Sequence, residues 1–203
     1  MPFVFGYGSL VDRASVAASI GRQLGPGQGP HPVRLRGFRR AWNVVGHTSI
    51  RPDYAFHGPD GTAWEGWLAF LGVEVSPGAT TIGAACRLVE PEIALLDARE
   101  RSYDRVDVAH LMDGELPGCA DEPVWVYRPR ADVVARAREL GPAGTVMARY
   151  LRLVDRGYRA LPADLYAEHL RTLPDPAPFV VREISAAPVV PGRRNEAVDP
   201  AQP

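Results

Sequence analysis

The sequence contains no lysine, and all 23 of its basic residues are arginine. That absence excludes Schiff-base catalysis, a lysine-anchored pyridoxal phosphate, a phosphate-loop lysine and the strand lysine of kinases, because each needs an ε-amino group. Cysteine is scarce. Cys86 and Cys119 form no C-x-x-C pair, and no short cluster of cysteine and histidine has zinc spacing, so a reduced, metal-free interior is expected. Excess charge of either sign is also missing: 23 basic against 24 acidic side chains leave a formal net charge of -1. Such a chain has no overall field to draw in nucleic acid or an anionic membrane surface. No segment comes near the roughly 18 continuous apolar residues of a membrane span. The N-terminus has no basic stretch leading into an apolar run, so a secretory signal is not supported and a cytoplasmic location is expected.

What is present is the composition of an ordinary folded domain, with 46% apolar and 23% charged residues in 203. One domain is expected over residues 1–185. A flexible tail is expected over 186–203, which is rich in proline and short of aromatics. Pro2 to Tyr7 reads as a short buried strand, followed by a tight loop and a helix from Asp12 to Leu24. Val33 to Gly46 is strand-like, and His47 to Thr62 looks irregular. Trp64 to Val75 is a strand closed by Ser76-Pro77-Gly78-Ala79, whose Pro and Gly positions favour a type II turn, with Thr80 to Val89 as its hairpin partner. Glu90-Pro91 opens a helix running to about Arg101. Tyr103 to Leu111 and Pro123 to Pro129 read as strands. Helices are expected from Ala131 to Leu140, Pro142 to about Arg159 and Leu161 to Leu173, and an edge strand from Phe179 to Ile184. This order lacks the regular alternation of a doubly wound sheet. It suits an α+β fold in which a small mixed β-barrel is flanked by helices.

Two places could carry chemistry. Gly6-Tyr7-Gly8-Ser9-Leu10 lies where a strand hands over to a helix, and its glycines permit backbone angles that let successive N–H groups converge on a carboxylate or oxyanion. As an isolated motif it equally describes a tight structural turn. It is neither a dinucleotide fingerprint, since the third glycine is missing, nor a nucleophile elbow. The second place is Glu100, which shares a helical face with Ile93 and Leu96 and so points along the side that the apolar residues take into the core. Periodicity alone also allows a surface acid paired with Arg99, Arg101 or Arg105. Asp97 fits a solvated side better. The histidines at 31, 47, 57, 110 and 169 share no ligand spacing. Arg36, Arg39 and Arg40 beside Trp42 read as a solvated edge, and Trp64, Trp67, Trp125 and Tyr127 as core aromatics.

Taken together, Val4-Phe5-Gly6-Tyr7-Gly8-Ser9-Leu10 and Leu96-Asp97 with Glu100, Tyr103 and Arg105 resemble the γ-glutamylcyclotransferase family. Leu35-Arg36-Gly37-Phe38-Arg39-Arg40 resembles its second strand, Val75-Ser76-Pro77-Gly78 through Gly83 its central hairpin, and Leu161-Pro162 to Tyr166 with Leu170 a helical element of some members. Two departures stand out: the Glu100 to Tyr103 spacing is tighter than in many members, and Asp104 follows the tyrosine where a basic residue is common. The resemblance implies conversion of a γ-glutamyl amine or peptide into 5-oxoproline and a free amine, with no cofactor or metal. It assigns Glu100 as general acid/base, and Tyr7, Gly8, Ser9, Leu10 and Tyr103 to substrate binding. The expected partner is a small γ-glutamyl molecule rather than nucleic acid or membrane. Two other readings share the fold: a carboxylate-binding module without turnover, and a cyclotransferase acting on a γ-glutamyl group carried by a larger scaffold. The leaving amine, the use of glutathione and the oligomeric state stay open.

Overall fold

The computed structural model describes residues 1–118 and 122–189. Cys119 and residues 190–203 of the expected tail therefore lie outside the described residues. Strand β1 (Phe3–Gly6) is buried along its whole length, and the next strands are β2 (His31–His47), β3 (Tyr54–His57) and β4 (Trp67–Arg87). Between β1 and β2 lies helix α1 (Arg13–Ile20), capped by Asp12, whose carboxylate accepts from the Ser15 N–H at 2.7 Å. After β4 come α2 (Glu90–Arg99), β5 (Tyr103–Asp107), β6 (Met112–Asp113), β7 (Val124–Pro129), α3 (Ala131–Leu140), β8 (Gly144–Met147), α4 (Ala148–Arg159), α5 (Ala163–Thr172), β9 (Val180–Arg182) and β10 (Ser185–Pro188).

The main sheet has eight strands. Its order is β5-β7-β1-β4-β2-β6, with β8 joining β4 to β9, while β10 pairs only with β3. It is mixed: β1 runs antiparallel to β4 and parallel to β7. The sheet curls into a half-barrel with five helices around it, as an α+β fold with a small mixed barrel requires. No described helix is long and apolar enough to cross a membrane.

The curl starts in the long antiparallel pair β2 and β4, whose register shifts between Arg36 and Phe38 and again between Trp42 and Val44. Bulges of this kind bend and twist a sheet. At the first, Phe38 faces Val75 and Arg36 faces Thr80, so Gly37 alone opposes the whole Ser76–Ala79 segment. The expected hairpin is therefore not formed. Both flanks of Ser76-Pro77-Gly78-Ala79 pair with β2 instead of with each other, and Pro77 is tolerated because it sits in the bulge, where no ladder bond is required. Gly37 and Gly78 both take positive φ, at 79° and 82°, so each makes one of the backbone bends there.

Other expectations need correction. Pro142 to Arg159 is not one helix: Gly144–Met147 pairs with β4 and β9, and the helix begins only at Ala148. The irregular stretch His47 to Thr62 contains β3, which pairs with Ser185–Pro188, so the chain is in a strand where the tail was expected to begin. Arg40 is not on a solvated edge. It is 5% exposed, with its guanidinium against His169 Nδ1 at 2.6 Å and on Thr172 Oγ1 at 2.9 Å.

Strand alternation explains why β1 is buried on both faces. Phe3 and Phe5 enter the barrel interior with Val33, Leu35, Val73 and Val126. Val4 points the other way, to Val16, Ile20, Ile93 and Leu96 under α1 and α2. The third cluster packs α4 and α5 on β4 through Tyr150, Val154, Tyr158 and Leu165. The C-terminal end of β1 thus emerges between two apolar clusters, with α4 on one side and the end of α2 on the other.

Candidate functional site

Beyond β1 the chain turns through Tyr7 and Gly8 into a 3₁₀ turn, Ser9–Val11, closed by Val11 N–H to Gly8 O at 3.1 Å. Neither Gly6 nor Gly8 has positive φ, while Gly8 takes φ -125° and ψ -124°. Neither has room for a side chain. A Cβ on Gly6 would stand 2.5 Å from the Leu10 carbonyl, and one on Gly8 would stand 2.8 Å from the Tyr150 hydroxyl. The leading N–H groups of such a turn have no partner inside it.

Glu100 terminates α2. Its N–H donates to Leu96 O at 2.8 Å and its carbonyl accepts from Tyr103 N–H at 3.0 Å, so the backbone on both sides of the side chain is fixed. Ile93 and Leu96 are fully buried, and the same helical face carries the Glu100 side chain inward until it is only 13% exposed. The surface-acid reading of Glu100 is thereby corrected. Burial pushes its carboxyl above the ordinary value, and the Arg99 and Arg51 charges pull it partly back.

The two segments meet. Glu100 and the turn from Gly6 to Leu10 line one pocket with about 320 Å³ of empty space, open solvent at its mouth included. Every residue assigned to the site from sequence, namely Tyr7, Gly8, Ser9, Leu10, Glu100 and Tyr103, lines it, and Leu71, Tyr127 and Tyr150 complete it. Asp97 does not. It accepts from the Tyr127 hydroxyl at 2.8 Å and lies 3.5 Å from Arg105.

Tyrosines make most of the wall. Tyr7 donates to Tyr127 O at 2.6 Å, and the Tyr150 hydroxyl accepts from Leu71 N–H at 3.4 Å. Burial holds the hydroxyls of Tyr7, Tyr103 and Tyr150 above the usual phenol range, and the nearby Glu100 charge acts in the same direction. They stay neutral at physiological pH; the Tyr7 proton is taken by Tyr127 O, and the Tyr103 hydroxyl donates only over 3.5 Å, to Leu71 O.

The turn is held from behind by α4. Tyr158 Oη reaches Tyr7 O at 2.9 Å and Ile82 O at 2.7 Å, and Arg156 grips the Asp12 carboxylate through Nε at 2.8 Å and a terminal nitrogen at 2.9 Å. The bond from Arg156 keeps the Asp12 carboxyl below the usual carboxylate range. Behind Tyr158, His169 stacks on its ring with centroids 3.7 Å apart, and Arg40 lies 5.1 Å from the ring centre.

The sequence matches no protein-family model and no curated protein. The structure is similar to a solved structure described as a γ-glutamyl cyclotransferase, 14% identical, with a TM-score of 0.49 over 90% of this chain and 94% of that one. It is also similar to YkqA from Bacillus subtilis, 17% identical, with a TM-score of 0.50 over 84% of this chain and 53% of that one. The fold is shared with YkqA. The chain spans about half the length of YkqA. An uncharacterized protein from Homo sapiens, 14% identical, aligns with a TM-score of 0.44 over 85% of this chain and 88% of that one. Likeness at these identities concerns backbone architecture.

Tyr150, Leu71 and the contacts of Arg99 were not foreseen from the sequence. Tyr150, Val154 and Tyr158 are four residues apart and all buried on one face of α4, so the spacing was there to be read. Arg99 had been considered only as a surface partner of Glu100. Its Nε lies 3.3 Å from Glu100 Oε1, while its terminal nitrogens donate to Ser19 Oγ and Ser9 Oγ at 2.8 Å each.

Proposed function

We propose that the protein is a γ-glutamylcyclotransferase, releasing 5-oxoproline and a free amine from a γ-glutamyl amide. The observation that carries this reading is the placement of one carboxyl, Glu100, only 13% exposed, in the same pocket as the Gly6–Leu10 turn. In such a substrate the α-amino nitrogen can attack the γ-carbonyl carbon and close a five-membered ring, so the substrate supplies its own nucleophile. Holding it folded back exploits intramolecularity, for which effective molarities of about 10⁵ to 10⁸ M are reached by well-oriented groups.

Glu100 takes a proton from the α-ammonium, freeing the lone pair for attack. The γ-carbonyl oxygen gains negative charge as the carbon becomes tetrahedral, and the N–H groups of the turn from Tyr7 to Leu10 receive that charge or the substrate carboxylate. When the scissile C–N bond breaks, Glu100 returns the proton to the departing nitrogen, and the second proton that the attacking nitrogen loses on becoming the lactam N–H passes through Glu100 to the freed amine, which leaves as an ammonium. The raised proton affinity of its carboxyl suits it to both transfers near neutrality. Tyr103 lines the pocket beside Glu100 and donates to the bound substrate from its neutral hydroxyl.

The test is a panel of γ-glutamyl amines, peptides and larger γ-glutamyl conjugates, with 5-oxoproline measured over many turnovers. Glu100→Gln keeps the shape of the side chain and is expected to keep ligand affinity while lowering turnover by about 10² to 10⁴-fold, the usual worth of a positioned acid/base. Undiminished turnover in that variant would overturn the role of Glu100. Stoichiometric binding without turnover by the unaltered protein would replace the enzyme with a carboxylate-binding module.

A further inference from the structure

The proposed reaction places an electrostatic demand on the pocket that Glu100 and the backbone turn do not meet by themselves. In a γ-glutamyl group the ammonium and the carboxylate share the α-carbon. Any pose that brings the ammonium to Glu100 also brings a second anion close to it, and like charges in a low-dielectric pocket repel strongly. A cation is needed that can touch both that carboxylate and Glu100.

Among the described residues two arginines influence Glu100 by their charge, Arg99 and Arg51. Arg51 is already neutralised, with Asp53 accepting from it through both carboxylate oxygens at 3.1 Å. Arg99 is placed differently. Its one anionic contact among the described residues is Glu100 itself, and its other two partners, Ser9 and Ser19, are neutral hydroxyls. Arginine carries five N–H donors. The contacts to Glu100, Ser9 and Ser19 leave one N–H on each terminal nitrogen for a further acceptor. Arg99 is not itself one of the lining residues, but two of its partners, Ser9 and Glu100, are, and its side chain is 33% exposed beside them.

We infer that Arg99 is a specificity-determining residue that binds the α-carboxylate of the glutamyl group, an inference that rests on the cyclotransferase reading. Four charges then alternate: Arg99, the substrate carboxylate, the substrate ammonium and Glu100. The division of labour follows. With the carboxylate on Arg99, the N–H groups of the turn are left for the oxyanion. The carboxylate takes no part in bond making or breaking and is present in substrate, transition state and 5-oxoproline alike. Its contact with Arg99 is therefore uniform binding, which lowers KM and leaves kcat nearly unchanged.

The experiment compares ligands that differ only in that carboxylate. The first pair is 5-oxoproline and pyrrolidin-2-one, tested by equilibrium binding, which needs no turnover. The second is γ-glutamylalanine and 4-aminobutanoylalanine, which cyclise to those two lactams with release of alanine. The unaltered protein should prefer the carboxylate-bearing member of each pair by roughly tenfold or more, the worth of a hydrogen-bonded charge pair. Arg99→Gln should reduce the preference to within about twofold and raise KM for γ-glutamylalanine roughly tenfold with little change in kcat. Arg99→Lys, which keeps the charge, should retain part of it. Absence of preference in the unaltered protein would overturn the inference even if Arg99→Gln failed to fold. Turnover of γ-glutamylalanine with the preference intact in Arg99→Gln would overturn it while leaving the cyclotransferase reading standing. Arg99-dependent binding of 5-oxoproline without turnover of any γ-glutamyl compound would overturn that reading and leave the carboxylate anchor.

Discussion

Gly157 sits in the last turns of α4, where replacement by alanine is expected from helix propensity to stabilise the protein by about 1 kcal/mol. The tertiary structure reverses that sign. A Cβ at 157 would stand 2.7 Å from Asp12 N and 3.0 Å from both Asp12 Cα and Val11 C. These are backbone atoms and cannot swing aside as a flexible side chain can. They are also held in place, since Arg156 grips the Asp12 carboxylate and Asp12 caps α1. Overpacking against such a neighbour costs roughly 1–3 kcal/mol, and here the upper part of that range applies. After the propensity gain, Gly157→Ala should be destabilised by about 1–2 kcal/mol, and each kcal/mol lowers Tm by about 2–4 °C in a chain of this size. Urea denaturation followed by circular dichroism measures the change directly. Because Asp12 follows the Ser9–Val11 turn, the same clash should push the pocket's backbone wall away from α4 and reduce kcat/KM for 5-oxoproline formation. An alanine variant as stable as the parent, or more stable, would refute the close approach of α4 to the turn and with it the account of how the turn is positioned.

Two further measurements probe buried groups outside the pocket. His169 is 1% exposed, and burial together with the adjacent Arg40 pushes its imidazole down to about 4. The unfolded chain takes up this proton near pH 6.5 and the native protein resists it until about pH 4, so stability falls as pH drops through that window. The loss between pH 7 and pH 5 should be about 2 kcal/mol, and His169→Gln, though less stable throughout, should lack that component in denaturant titrations at the two pH values. Cys86 is buried, and burial pushes its thiol up to about 12. It should resist alkylation at neutral pH in the native protein and react once the chain is unfolded, as peptide mapping by mass spectrometry would reveal; rapid native labelling of Cys86 would contradict its place beneath α1 and α2.

The sequence by itself determined the elements whose signals are local. Proline in the first turn of α2, the period that puts Ile93 and Leu96 on one face, and the apolar run of β1 each act within a few residues. The inward side of Glu100 followed from that period, and the small-residue turn after β1 was visible as Gly6-Tyr7-Gly8-Ser9. What only the tertiary structure decided depends on contacts between distant segments. Ser76-Pro77-Gly78-Ala79 has the local chemistry of a hairpin turn, yet β2 pairs with the strand on both sides of it and makes it a bulge. Gly144–Met147 carries too short an apolar pattern to distinguish strand from helix, and its pairing with β4 and β9 settles the matter. That Leu10 and Tyr150 press against Gly6 and Gly8, leaving no room for a side chain, is likewise a contact no local pattern shows. Arg40, Arg99 and His169 are polar residues on unremarkable stretches of sequence. The burial of Arg40 and His169 and the contacts of Arg99 arise from partners 129 residues away in one case and 90 in another, and no local pattern encodes a distance of that kind.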